Sequence, residues 1–238
     1  TAPAALTRTR WQDFAAAVEL AMDHLQEAVG PMPIHLVGFS NGAPVALNYA
    51  LDSINQTGRP QAASLILIAP SIGITNAASL AGFKNFLGGL PGLAQLRFTA
   101  IRPEFEPFRY GSFPTNGGTQ THRLTRRVAR GVAELERSGR GSAMPPVFVI
   151  KSAADSTVSN DAVIDRLLDR LPDNGNELIL FDVNRLAVKS SVVIADPGPI
   201  AARIVESPSR PFGVTLVKNE SNYSARVVAV SRPAFAAE

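Results

Sequence analysis

The chain has 238 residues, 45% of them hydrophobic and 18% charged, which suits one well-packed domain with room for an inserted subdomain. Its net charge of +3 is too small to argue for an anionic partner, and the absence of cysteine excludes disulfides, thiolate metal sites and a cysteine nucleophile. No apolar run approaches the roughly 18–20 residues that span a bilayer. Residue 1 is threonine and the sequence stops at "SRPAFAAE" without completing an element, so truncation at both ends is expected and the compartment stays open.

In chain order, Arg10 to Val29 reads as a helix. Trp11, Phe14, Val18, Ala21, Met22 and Leu25 recur at three- and four-residue spacing, and Gly30-Pro31 ends the pattern. Pro33 to Val37 is a short apolar strand, and Asn41 to Leu51 is rich in helix formers. "SLILI" (64–68), "VFVIK" (147–151) and "ELILF" (177–181) are three more apolar strands, and "DAVIDRLLDRL" (161–171) is an amphipathic helix. Continuous apolar strands alternating with helices predict an α/β fold whose parallel sheet is covered on both faces.

Residues 71–144 interrupt the alternation. They hold six of the chain's 12 phenylalanines, at 83, 86, 98, 105, 108 and 113, and are too apolar for a disordered linker. An inserted, mostly helical cap is expected there. Its last element, Thr121 to Ser138, carries Arg123, Arg126, Arg127, Arg130 and Arg137 but no aromatic for base stacking, so it reads as a solvated face and not as a nucleic-acid site. "GVTLVKNE" and "SARVVAVS" predict a hairpin in a C-terminal extension. The expected organisation is thus core (1–70), cap (71–144), core with its last strand (145–190) and extension (191–238).

Gly38-Phe39-Ser40-Asn41-Gly42 fits G-x-S-x-G between a strand and a helix. A nucleophile on such a turn is lifted above the carboxyl end of its strand, the turn crowds the positions two before and two after it, and both are glycine. The helix start favours an oxyanion, with the Asn41 backbone N–H as donor. Asp155 stands four residues past the third strand, where an acid can orient a base held over the nucleophile, although a cap or turn role explains an aspartate equally well. Thr1 could act as an N-terminal nucleophile with its own amine as base, but "TAPAALTRTR" lacks the strand that would bury it.

At these residues the sequence resembles the α/β-hydrolase family, and within it the lysophospholipase and monoacylglycerol-lipase-like branch. "HLVGFSNGAPVALNYAL", "SLILIAPSIG", "PPVFVIKSAADSTVS" and the cap stretch "RYGSFPTN" carry the likeness. The resemblance implies a partial α/β-hydrolase core with a cap. It also implies a serine hydrolase that cleaves carboxylic esters of lipid-like or other small acyl substrates, without metal or organic cofactor. Ser40 would be the nucleophile, Asp155 the triad acid and Asn41 half of the oxyanion hole, with Gly38 and Gly42 as the elbow glycines. The strands that open the family's core are absent before Arg10. The triad histidine should follow Asp155, yet His24, His35 and His122 all precede it. His24 reads as a surface residue, His35 as a packed strand residue and His122 as the start of the basic helix. The base is therefore expected beyond Glu238. Two alternatives stay open: an amidase or peptidase on the same scaffold, and a non-catalytic binding protein that lost the base.

Overall fold

The computed structural model describes residues 3–73, 98–100, 113–153, 160–183, 209–221 and 223–235. In chain order these give α1 (Pro3–Leu6), α2 (Trp11–Val29), β1 (His35–Phe39), α3 (Gly42–Asn55) and β2 (Ser64–Ile68). A short antiparallel ribbon of β3 (Phe98–Ala100) and β4 (Phe113–Pro114) precedes α4 (Thr115–Arg137). Then follow β5 (Val147–Ser152), α5 (Asn160–Arg166), β6 (Glu177–Asp182), β7 (Gly213–Asn219) and β8 (Val227–Arg232). The main sheet has the order β1-β2-β5-β6-β7-β8, parallel throughout except for β8. The four strands read from apolar runs are all present and parallel in one sheet.

From β1 to β7 each successive sheet strand takes its place on the same side of the one before. Right-handed crossovers then put every connecting helix over the same face. Packing agrees: α2 and α4 lie against α3, α4 touches α5, and all four share one hydrophobic cluster with Leu65, Leu67, Val147, Val149, Leu178 and Leu180. The expectation of two covered faces therefore holds for only one face among the described residues. The other carries His35, Val37, Phe39, Ile66, Ile68, Phe148, Ile150, Ile179 and Phe181, none of them buried, with Val37 63% and Phe39 68% exposed.

Two further expectations change. The apolar stripe of α2 buries Met22, half-covers Trp11 and Val18, and leaves Phe14, Ala21 and Leu25 exposed, because among the described residues the helix packs mainly on α3 and α4 at the margin of the layer. The hairpin is formed by β7 and β8, but it is no appendage. β7 pairs with β6 from Glu177↔Gly213 to Asp182↔Lys218, and Phe212, Val214 and Leu216 enter the core, so the last parallel strand is β7 and not β6. Arg210 Nη1 donates to both carboxylate oxygens of Asp169 at 2.8 Å, pinning the approach to β7.

The last element of the stretch expected as a cap, α4, buries Leu124, Val128, Val132 and Leu135 against α3 and so belongs to the layer that covers the sheet. Its five expected arginines are exposed. Arg127 also reaches back: it donates to Asn48 Oδ1 at 2.7 Å and Asp52 Oδ1 at 2.6 Å, and its guanidinium lies 5.5 Å from the Trp11 ring centroid. Residues 74–97 and 101–112, the rest of the expected cap, lie outside the described residues.

Tyr49 of α3 is 2% exposed and donates its hydroxyl to Pro60 O at 2.6 Å. Burial first, and then the nearby Asp23 carboxylate, raise its pKa above the ordinary 10.0. The folded state thus holds the phenolic proton more tightly than the unfolded chain. The stability this contributes is fully present below about pH 10 and is lost as pH rises above that value. In an alkaline titration followed by tyrosinate absorbance, Tyr49 should ionise late, together with loss of helical circular dichroism. Early ionisation of all tyrosines with the fold intact would contradict this.

Candidate active site

The turn from β1 to α3 is made by Ser40, a non-glycine residue at φ 51°. A left-handed serine costs about 1–2 kcal/mol and persists only where surrounding bonds over-determine it. Those bonds come from the segment after β2. Ser40 N–H donates to Ile68 O at 2.9 Å, and Ser71 N–H donates to Ser40 O at 3.1 Å. Ala69, at φ 44°, is a second strained residue at the same end of the neighbouring strand, and its N–H donates to Ile150 O at 2.8 Å. Three adjacent strands thus end in one hydrogen-bonded ledge at their carboxyl ends.

The two glycines of the turn are not equivalent. A Cβ on Gly38 would sit 2.6 Å from Ala43 Cα and 2.7 Å from Ala43 N, so the helix can start only because residue 38 has no side chain. A Cβ on Gly42 would meet nothing within 4 Å. The crowding expected at both positions is real at Gly38 alone, because the first turn of α3 folds back over the strand and carries Gly42 outward.

Ser40 is half-buried, and its Oγ lies 3.3 Å from the Oγ of Ser71. Reading the sequence alone overlooks Ser71. Its signal is the adjacency of β1 and β2, which brings the residue three past "SLILI" beside the turn. Asn41 opens α3, where the first N–H groups have no intrahelical acceptor and point outward. Its side-chain Oδ1 is buried and accepts no hydrogen bond among the described residues.

Asp155 lies outside the described residues. The described residues on either side of it are tied together: Ala153 N–H donates to Phe181 O at 2.8 Å, and Asn160 Nδ2 donates to Ala153 O at 3.0 Å. β5 is two strands from β1 and parallel to it, so the end of β5 lies on the same sheet edge as Ser40, about 10 Å across.

None of the three histidines is bonded to Ser40 among the described residues. His24 is exposed, as expected. His35 is exposed and not packed, because β1 lines the bare face. Its Nδ1 is 2.7 Å from Ser64 Oγ, at the opposite end of the strand from Ser40. His122 is half-buried in the second turn of α4, and its Nδ1 has no partner among the described residues.

Beside the turn lies a cavity of about 270 Å³. Leu6, Trp11, Phe14, Pro114 and Leu124 form its apolar walls, and Asn41 joins it to the elbow. Asn116 holds the entrance segment: its Nδ2 donates to Leu6 O at 3.0 Å and Thr9 O at 2.8 Å. No cluster of potential metal ligands occurs among the described residues, and no described helix is long and apolar enough to cross a membrane.

No family model matches the sequence, and no curated protein matches it. Among solved structures the chain is similar to the monoacylglycerol lipase of Paleococcus ferrophilus, with a TM-score of 0.50 and 15% identity over 73% of this chain. The match covers 65% of the lipase, so the chain spans just under two thirds of that protein's length. E-2-(acetamidomethylene)succinate hydrolase matches with a TM-score of 0.39 and 15% identity over 72% of this chain and 65% of its own. A carboxylesterase of the ammonia-oxidizing thaumarchaeon Nitrososphaera gargenis matches with a TM-score of 0.38 and 15% identity over 84% of this chain and 71% of its own. At such identities the likeness is one of fold.

Proposed function

Because the chain has an α/β-hydrolase fold, we propose that it is a serine hydrolase that cleaves carboxylic esters through an acyl-enzyme on Ser40. The observation that carries this reading is the left-handed backbone of Ser40 on a strand-to-helix turn at the carboxyl edge of the sheet, over a glycine whose added Cβ would stand 2.6 Å from Ala43 Cα. Ser40 Oγ would attack the ester carbonyl while a base takes its proton. The Asn41 N–H would meet the oxyanion, the alcohol would leave with a proton from the base, and water would release the acid. Asp155 is the proposed acid that steadies the base. The base itself is proposed to be a histidine beyond Glu238, and the proposed cap is drawn from residues 71–144. The likeness to the monoacylglycerol lipase supports a lipid-like or other small acyl ester.

A non-catalytic binding protein is the second reading, and it is favoured by Ser40 having a serine hydroxyl as its described partner instead of a base. Fluorophosphonate labelling separates the two. A chain extended at both ends should label and should hydrolyse short-chain nitrophenyl esters. Residues 1–238 alone, without a histidine after Asp155, should aggregate or stay inactive. An extended chain that folds and does not label would favour the binding protein.

A further inference from the structure

Ser71 directs two groups at one residue. Its N–H donates to Ser40 O at 3.1 Å, and its hydroxyl stands 3.3 Å from Ser40 Oγ. The segment that carries it is held on both sides. Ala69 N–H donates to Ile150 O at 2.8 Å, and Ile72 N–H donates to Pro70 O at 2.8 Å, which closes a three-residue turn centred on Ser71. Ile72 is buried in the core. A fixed piece of backbone therefore delivers the Ser71 hydroxyl to Ser40.

Burial decides which hydroxyl gives its proton. Ser71 is 8% exposed, and Ser40 Oγ is its side chain's only hydrogen-bond partner among the described residues. Ser40 is half-buried, so water can take its proton. A buried hydroxyl whose proton goes unspent is costly. Ser71 thus donates and Ser40 Oγ accepts, which leaves Ser40's own proton free to pass to a base.

We propose that Ser71 is a positioning residue for Ser40: its hydroxyl fixes the place of Oγ and steadies the negative charge that gathers there. The 3.3 Å separation is longer than the roughly 2.7–2.8 Å usual between hydroxyls, so the bond is weak while Oγ is neutral. It shortens and strengthens as Oγ loses its proton. The gain falls in the transition state and not in the resting fold. It recurs in both halves of the reaction, because Oγ carries charge as it attacks the ester and again as it leaves the acyl group. The catalytic role rests on the reading of Ser40 as nucleophile, whereas the hydrogen bond does not.

The bond is measurable without catalysis. Residues 1–238 contain no cysteine, so Ser40→Cys introduces one thiol, and its ionisation is followed by ultraviolet difference absorbance against the unaltered protein. In the chain extended at both ends, adding Ser71→Ala should raise the pKa of that thiol by about 1, and Ser71→Thr, which keeps a hydroxyl, should restore it. With Ser40 in place, Ser71→Ala should lower kcat on nitrophenyl esters and the rate of fluorophosphonate labelling about tenfold. KM and circular dichroism should stay unchanged, and Ser71→Thr should recover both rates. Either variant keeps the backbone N–H of residue 71, so a purely structural role would move none of these readouts. Should the added methyl of threonine unfold the chain, Ser71→Ala alone decides. A thiol pKa indifferent to Ser71→Ala, or a kcat that does not fall with it in a protein that labels, overturns the proposal. A thiol that responds in a protein that does not label upholds the hydrogen bond and overturns the nucleophile assignment.

Discussion

Ser40→Ala, in a chain extended past Glu238, is expected to lower kcat/KM on nitrophenyl esters by roughly 10⁴- to 10⁶-fold and to abolish fluorophosphonate labelling. Stability should hardly move. The side chain's described bond is the 3.3 Å contact with Ser71, worth about 1 kcal/mol at most, and alanine meets the same left-handed backbone penalty as serine. This split between activity and stability is what distinguishes a nucleophile from a structural hydroxyl. Ser71→Ala supplies the control, since it removes the same hydrogen bond without removing the attacking oxygen, and should cost far less in rate. An extended Ser40→Ala enzyme that keeps its ester turnover would remove Ser40 from the mechanism.

Gly38→Ala is expected to destabilise the fold by about 3 kcal/mol, lowering Tm by roughly 6–12 °C. The added methyl would stand 2.6 Å from Ala43 Cα and 2.8 Å from Gly42 C, and backbone cannot swing aside as a side-chain tip can. Relief would require α3 to lift from β1, which also moves Ser40 and Asn41, so activity in the extended chain should fall with stability. Gly42→Ala adds its methyl to open space at a helix start and should stay within about 0.5 kcal/mol of the unaltered chain. Equal effects at the two positions would mean that the turn is looser than its contacts imply.

The strands were legible because each is a continuous apolar run, and the elbow because a serine between two glycines stood where such a run met a helix pattern. What escaped the sequence depends on which strands become neighbours. Ser71 matters only because β2 lies beside β1, and no local pattern announces that pairing. The placement of β7 in the sheet follows from its pairing with β6 across a connection of 30 residues, from 183 to 212, whereas its hairpin with β8 was readable from adjacent segments. The α2 stripe misled because periodicity reports an amphipathic helix without reporting how much of the face a neighbour covers.

The one-way strand order has a consequence for the position of Ser40. A sheet wound in one direction can place helices on its bare face only by reversing direction, and β1 is the strand at which such a reversal would begin. Strands laid beyond β1 in the opposite sense would send their crossovers over Val37, Phe39, Ile66 and Phe148. The helices on the two faces would then diverge above the carboxyl end of β1 and leave a crevice there. That would be the topological switch point at which open α/β sheets bind their ligands, and Ser40 would lie at its floor.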